Sequence, residues 1–350
     1  MSAAPTFAWN EVLAQLLRHE DLDDATCAAA MDEIMEGTAT PAQVAAFLMA
    51  LRMKGETAAE VAGLVRSMRA LALPLDVAGP LVDTCGTGGD RAGTFNVSTV
   101  AAVVAAGAGA RVAKHGNRAA SGKCGSADLL EAWGVVIDLP PAGVAACIEQ
   151  VGIGFCFATV FHPAMRHAIP VRRELGVPTV FNFLGPLTNP AGALHQTIGV
   201  SDRAMAAKMA GVLARLGSTH ALVFHGADGL DELTTTGTST VWEVRTGTVE
   251  EHEIDPIDLG IPRASVADLR GGGVEINRVI ADDVLAGKTG PARDIVVLGA
   301  AAALLAADRV ADLAAGLESA SQALDSGAAA EVLSRWVEVS REQQSLLHAR

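Results

Sequence analysis

The chain is poor in cysteine, poor in aromatic residues and short of positive charge, and each deficit removes a class of protein. Its five cysteines (Cys27, Cys85, Cys124, Cys147 and Cys156) are odd in number, scattered and without a C-x-x-C pair. That excludes a zinc ribbon or a disulfide framework and fits a reducing, cytoplasmic setting. Lysine and arginine number 26 against 40 acidic residues, a net charge of −14. A chain so acidic repels nucleic acid and anionic membranes, so an anionic substrate needs a local basic pocket, a metal ion, or both. The longest apolar run, Ile295–Ala307, is too short to span a bilayer and reads as a buried helix. The N-terminus has no basic-then-apolar signal pattern. There is no tyrosine, and neither G-x-G-x-x-G nor G-x-x-x-x-G-K-[ST] marks the Gly-rich stretch.

What is there is a soluble, Ala-rich composition, half hydrophobic over 350 residues, enough for two domains. Residues 83–128 organise it. They read Asp83-Thr-Cys-Gly-Thr-Gly-Gly-Asp90, then Phe95-Asn-Val-Ser-Thr99, then Lys114-His-Gly-Asn-Arg118 and a Ser/Gly-rich run to Asp128. Gly86, Gly88 and Gly89 can adopt positive φ and turn successive N–H groups toward one anion. Asn96, Ser98 and Thr99 precede the apolar run Val100–Ala106, so a helix N-terminus is expected to face the same place. Lys114, His115, Asn117, Arg118, Ser121 and Lys123 add cations and small polar groups. Singly, each piece is an ordinary turn, a packed histidine or a solvated charge. Together they suggest a cradle for a ligand with more than one phosphate. Cys85 and Cys124 flank the cradle without a base to activate them, so both read as small packing residues.

Residues 8–73 are helical by pattern. Thr40-Pro-Ala-Gln43 and Thr57-Ala-Ala-Glu60 match the capping box, Gly37 and Gly55 punctuate helix ends, and Pro74 stops the last helix. Leu71–Pro80 reads as a linker. Beyond it, Leu81–Asp83, Arg111–Lys114, Val135–Asp138, Gly154–Ala158, Thr179–Asn182 and Ala221–His225 are short strand candidates. Apolar helical segments 125–134, 141–150 and 201–217 lie between them. This alternation predicts an α/β domain with a mostly parallel sheet, and ligands in such sheets bind beyond the carboxyl ends of the strands. Val241–Ile254 predicts an antiparallel hairpin. Residues 281–346 read as Ala-rich helices broken at Gly327.

Asp228-Gly-Leu-Asp231-Glu232 follows a strand candidate. Adjacent carboxylates repel, so they imply a compensating cation or else a solvated acidic loop. With phosphates nearby, all-oxygen ligation suits Mg²⁺. Arg166, Arg172 and Arg173 sit on a helical pattern, and one of them offers a fork to a substrate carboxylate. The other two read as surface charge or as ion pairs with Glu174. His162 and His167 read as capping or packing residues. Gly185-Pro186 and Asn189-Pro190 read as rigid turns.

These motifs, Lys114-His-Gly-Asn-Arg-Ala119 with Asn182…Gly-Pro-Leu-Thr-Asn-Pro190 above all, resemble the anthranilate phosphoribosyltransferase family of tryptophan biosynthesis. The resemblance runs over nearly the whole chain. It implies a fold like that of the pyrimidine nucleoside phosphorylases. A small N-terminal helical domain (residues 1–73, joined in space by about 162–176) would be hinged to a large α/β domain (residues 81–350). It also implies a homodimer through the helical domain. Gly86, Gly88, Gly89, Asp90, Thr94, Asn96, Ser98, Thr99, Lys114 and Ser126 would hold phosphoribosyl pyrophosphate (PRPP). Gly86, His115, Asn117, His162, Arg172 and Pro186 would line the anthranilate path, with Arg172 facing the carboxylate. Ser98, Asp231 and Glu232 would take part in binding two Mg²⁺ ions.

Two positions depart from the family pattern: Thr159 stands where Pro or Gln is usual, and Cys124 where Ser is usual. The implied reaction joins the amine of anthranilate to the ribose anomeric carbon with inversion, as pyrophosphate leaves. Lys114 would stabilise the leaving group, and His115 is the candidate base. Another aromatic amine as acceptor is the nearest alternative. A nucleoside phosphorylase would use inorganic phosphate without paired metal carboxylates, and a non-catalytic subunit would bind without turnover.

Overall fold

The computed structural model describes residues 7–119 and 122–348. Four helices come first: α1 (Trp9–Leu17), α2 (Asp24–Glu36), α3 (Pro41–Lys54) and α4 (Ala58–Ala70). Both capping boxes close. Thr40 accepts from the Gln43 amide while the Gln43 side chain accepts from the Thr40 amide, and Thr57 and Glu60 do the same. Gly37 ends α2 at φ 77°, a left-handed cap that favours glycine. α4 stops at Ala70, short of the expected Leu73, and an irregular segment to Pro80 follows. That segment is tied down by Leu73 N–H to the Phe161 carbonyl (2.8 Å), Leu75 N–H to the Pro190 carbonyl (3.3 Å) and the Arg111 guanidinium to the Ala78 carbonyl.

A seven-stranded sheet follows: β1 (Val82–Gly86), β2 (Val112–Gly116), β3 (Ile153–Phe157), β4 (His195–Gly199), β5 (His220–Gly226), β6 (Ser239–Arg245) and β7 (Thr248–Ile254). Their spatial order is β3-β2-β1-β4-β5-β6-β7, parallel through β5 and antiparallel for the final hairpin. The chain winds outward from β1 to β3, then restarts at β4 on the other side of β1. The order therefore reverses between β1 and β4, and a crevice opens there.

Three expectations are corrected. Val135–Asp138 is not a strand: Val135 N–H closes the preceding helix on the Leu130 carbonyl (3.0 Å), and Val136 N–H goes to Ser340 Oγ (3.1 Å). Thr179–Asn182 runs into the helix Phe181–Leu187, which also absorbs Gly185-Pro186 into its last turn instead of a separate turn. The central strand β4 was missed because His-Gln-Thr-Ile-Gly is too polar to read as one, yet all five residues are buried. Two of its polar groups find partners: Gln196 Nε2 donates to the Pro186 carbonyl (2.9 Å), and His195 Nδ1 lies 2.7 Å from the Ala306 carbonyl.

Along β5, Leu222 and Phe224 enter one core and Ala221 and Val223 the other, the period-2 signature of a sheet covered on both faces. The first core lies under the helix α5 (Val97–Gly107), Pro291–Ala306 and the helices after it, where Trp336 is buried as the last helix begins at Ala328 beyond Gly327. The second core runs from α1–α4 through the helix Arg203–Arg215 to β4–β6. Ala168 and Val171 join it. The helix Ile169–Leu175 packs on α3, and the short turn Pro163–His167 on α2. Among the described residues no helix is long and apolar enough to cross a membrane.

Candidate active site

The carboxyl ends of β2, β1, β4 and β5 bring the Gly-rich turn, Lys114 and the acidic segment to one sheet edge. The segment Asp231–Glu232 lies directly over the ends of β1 and β4. A Cβ at Gly86 would strike the Asp231 carboxylate, and one at Gly199 would overlap the Asp231 backbone. Gly88 (φ 66°) and Gly89 (φ 82°) are left-handed, and a Cβ on Gly88 would meet nothing, so the turn is open on its outer side. Gly88 N–H donates to Asp231 Oδ2 at 2.6 Å. Ser98 N–H, in the first turn of α5, donates to Glu232 Oε1 at 3.2 Å. The two amides expected to hold an anion therefore hold carboxylates.

Those carboxylates are crowded. Burial raises the pKa of both; the charge of Asp90 adds to it at Asp231, and that of Asp231 at Glu232, while Lys114 acts the other way. Asp90 uses Oδ1 to accept from the Ala92 amide (3.1 Å), and its Oδ2 is buried without a partner. Among the described residues no three His, Cys, Asp or Glu converge as a metal cage. The donor set is nonetheless hard oxygen, carboxylates without an ion-pair partner among the described residues and with raised pKa values. It fits Mg²⁺, which takes one or two carboxylates and fills its remaining positions with water and substrate oxygens.

Lys114 is 1% exposed. Its Nζ donates to the Thr84 carbonyl (2.6 Å) and more weakly to Thr84 Oγ1 (3.4 Å), and burial pulls its pKa down. Asp83, wholly buried beneath it, accepts from the His115 amide (2.9 Å); burial pushes its carboxyl up to about 6. The His115 and His162 rings lie 5.1 Å apart, and the Nε2 atoms of both are buried without partners. Burial drives His115 down to about 3, with His162 adding to the effect, and burial takes His162 to about 4. Both imidazoles are therefore neutral. His115 Nδ1 lies 3.0 Å from the Gly185 carbonyl, which can only accept, so Nδ1 carries the proton and Nε2 is an acceptor. A nitrogen so weakly basic is better suited to accept a hydrogen bond than to remove a proton.

The family models for the glycosyl transferase family match both units: the helical bundle domain over residues 10–72 and the a/b domain over residues 78–330. An anthranilate phosphoribosyltransferase of Roseiflexus castenholzii is 58% identical over 94% of this chain and 97% of its own length. One of Salinispora arenicola is 54% identical over 97% and 98%. The chain belongs to the anthranilate phosphoribosyltransferase family. The crystal structure of the Thermus thermophilus member superposes with a TM-score of 0.90 at 46% identity, covering 94% of this chain and 99% of that one. The Saccharomyces cerevisiae enzyme in complex with PRPP and Mg gives 0.88 at 26%, covering 97% and 99%.

Other residues that the family resemblance singled out fall into two groups. In the first group, Thr99 is buried with no partner for its Oγ1 among the described residues, Ser126 starts the helix Ser126–Trp133, and Pro186 follows Gly185, whose carbonyl meets His115. Arg172 is half-buried, with its guanidinium 5.1 Å from the Phe181 ring centre and its pKa lowered by burial. Arg166 and Arg173 are exposed, and neither pairs with Glu174 among the described contacts.

Others are committed elsewhere. Arg118 turns away from the crevice to Asp128 (2.8 Å) and Glu131 (2.9 Å). Asn117 is exposed and bonds the Arg118 amide, Lys123 is exposed, and Ser121 lies outside the described residues. Thr94 bridges Arg270 by its backbone. Asp228 is not a third site carboxylate, because it accepts from Thr234 Oγ1 (2.7 Å), Thr236 Oγ1 and the Leu230 amide, closing its own turn. Cys124 is a hydrogen-bonding residue as well as a packing one, since its Sγ lies 3.2 Å from Asn96 Oδ1. Asn96 stands at the N-cap of α5 without capping it. Its partner Asn277 gave no signal in the sequence.

Proposed function

We propose that this chain transfers the phosphoribosyl group of PRPP to the amine of anthranilate, releasing pyrophosphate. One observation carries the reading: Asp231 and Glu232, without a cation beside them, occupy the Gly88 and Ser98 amides, so cation and anion are wanted at the same point. A metal–diphosphate ligand answers both demands. Ser98, Asp231 and Glu232 would hold up to two Mg²⁺ ions, which when bound would neutralise charge on the leaving pyrophosphate. The Gly86–Gly89 amides and the Lys114 ammonium would take the phosphate oxygens that develop charge. Lys114, already stripped of water, has no hydration shell to lose when it does so.

Arg172 would fork the anthranilate carboxylate, and the bare Nε2 of His115 would accept an N–H of the amine, aiming its lone pair at the ribose. Orientation, not proton removal, is the contribution assigned to His115. The irregular segment Leu71–Pro80 would serve as the hinge for closure over the crevice. A homodimer through the helical unit is supported by Leu17 and Met53, which stand 75% and 76% exposed on α1 and α3. A cytoplasmic setting is supported by five free thiols.

Mixing the protein with anthranilate, PRPP and Mg²⁺ tests the reading. Metal-dependent loss of anthranilate fluorescence with pyrophosphate release is expected. PRPP binding without that loss would redirect the search to other aromatic amines, and binding of neither would overturn the reading.

A further inference from the structure

Asn277 lies in the helix Val274–Leu285, far along the chain from the crevice, and is 2% exposed. Both of its polar atoms are used. Its Oδ1 accepts from the Gly272 amide at 2.7 Å, and its Nδ2 donates to Asn96 Oδ1 at 2.9 Å. Asn96 Nδ2 in turn donates to the Cys124 carbonyl at 3.1 Å. This chain of bonds can run in only one direction. It begins at an amide N–H that can only donate and ends at a carbonyl that can only accept, so both side-chain amides are fixed in orientation between those ends. The backbone around it is stapled as well. Gly271 N–H donates to the Gly93 carbonyl (2.9 Å), and a Cβ on Gly271 would lie 2.7 Å from Phe95 N and 2.5 Å from Asn277 Oδ1.

The consequence falls on α5. An Asn at an N-cap ordinarily turns its side-chain oxygen onto the amide of the second or third helical residue. Asn96 makes no such bond, because Asn277 and Cys124 Sγ (3.2 Å) occupy that oxygen. The Ser98 amide stays free of an internal cap and is held by Glu232 instead. We propose that Asn277 is a positioning residue which draws the Asn96 side chain off the end of α5, so that the Ser98 amide faces Glu232 and the proposed phosphate site in place of an internal cap. The identity of that site rests on the function proposed above.

The test compares Asn277→Ala and Asn277→Asp in the full chain. Aspartate keeps the size and the acceptor for Gly272 but cannot donate to Asn96. Both variants are expected to raise the KM for PRPP about tenfold, the scale of one lost buried hydrogen bond, with the KM for anthranilate little changed. In an Asn96→Ala background, Asn277→Ala is expected to add almost nothing, since there is no side-chain oxygen left to misdirect.

A readout independent of turnover is the alkylation rate of Cys124 by iodoacetamide, located by peptide mass. It is expected to rise in both variants because Asn96 no longer holds the Cys124 carbonyl and thiol. Asparagine as mere filler predicts wild-type behaviour for the aspartate variant, and that result overturns the proposal. So do additive effects in the double variant, equal shifts in both KM values, or unchanged Cys124 alkylation. If the alanine variant fails to fold, the aspartate variant decides. If the wild type does not turn over the two substrates, the proposed function fails while Cys124 alkylation still judges Asn277.

Discussion

In the helical unit, Glu60 is fully buried and fully partnered. It accepts from the Leu22 amide (2.9 Å), the Thr57 amide (2.8 Å) and Lys54 Nζ (2.9 Å). Lys54 also reaches Asp21 (2.7 Å); burial pulls its pKa down, but the bonds to Asp21 and Glu60 prevail and the net shift is upward. At the sheet edge the same two residue types stand in the opposite condition. Glu232 has one amide at 3.2 Å and a repelling neighbour in Asp231, and among the described residues Lys114 donates to Thr84 alone, with burial pulling its pKa down. In Glu60 and Lys54, charge buried for architecture has its counter-ion. Where it is buried for a ligand, cation and anions are left incomplete within reach of each other, and the ligand completes them.

Four variants sharpen that contrast, those with the larger expected effects first. Asp231→Asn with Glu232→Gln removes the candidate cation site. Activity is expected to fall about a hundredfold or more, since a metal supplies several kcal/mol to the transition state, without loss of thermal stability. A Mg²⁺ titration curve like that of the wild type would break the contrast. Lys54→Met leaves Glu60 buried and unpaired, and chemical denaturation is expected to show a loss of about 3–5 kcal/mol. The KM values of the folded enzyme should not move; a shift in either would mean that Lys54 belongs to the site.

Arg172→Ala should raise the KM for anthranilate about tenfold, the scale of a charged hydrogen bond, and that for PRPP much less. The reverse order would mean that the carboxylate fork lies elsewhere. The last variant concerns His115. Its folded pKa of about 3 lies below the unfolded value, so the unfolded state binds the extra proton as pH falls through about 6.5. Stability is therefore complete above that pH and is lost progressively below it, by about 2 kcal/mol per such histidine between pH 7 and 5. His115→Phe should flatten this acid loss and leave the activity profile between pH 6 and 9 unchanged in shape. Disappearance of an ionisation near neutrality would restore His115 as a base.

Much of this was legible in the residues because local rules govern it. The capping boxes at Thr40 and Thr57, the break at Gly327, the hairpin over 241–254 and the Gly-rich turn all express short-range geometry. Adjacent Asp231 and Glu232 signalled an unmet charge because the repulsion is between neighbours. The rest depends on who meets whom across the fold. β4 looked too polar for a central strand until Pro186 and Ala306 supplied partners for Gln196 and His195. That Asp228, three residues before Asp231, closes its own turn shows only when Thr234 and Thr236 are placed beside it. Arg118 looked like part of the cradle until Asp128 and Glu131 drew it away. Asn277 had no reading at all, since an asparagine inside a helix means nothing until Asn96 is beside it.

The most direct measurement is on Lys114→Met, which keeps the buried stem and removes only the charge. Binding of PRPP in Mg²⁺ would be followed by calorimetry, beside a thermal melt of the free protein. An ammonium buried in wait for a phosphate predicts binding weaker by about tenfold or more, with a melting temperature unchanged or raised, because a desolvated charge has been relieved. Undiminished PRPP binding with a lowered melting temperature would show that Lys114, like Lys54, is there to hold the fold together.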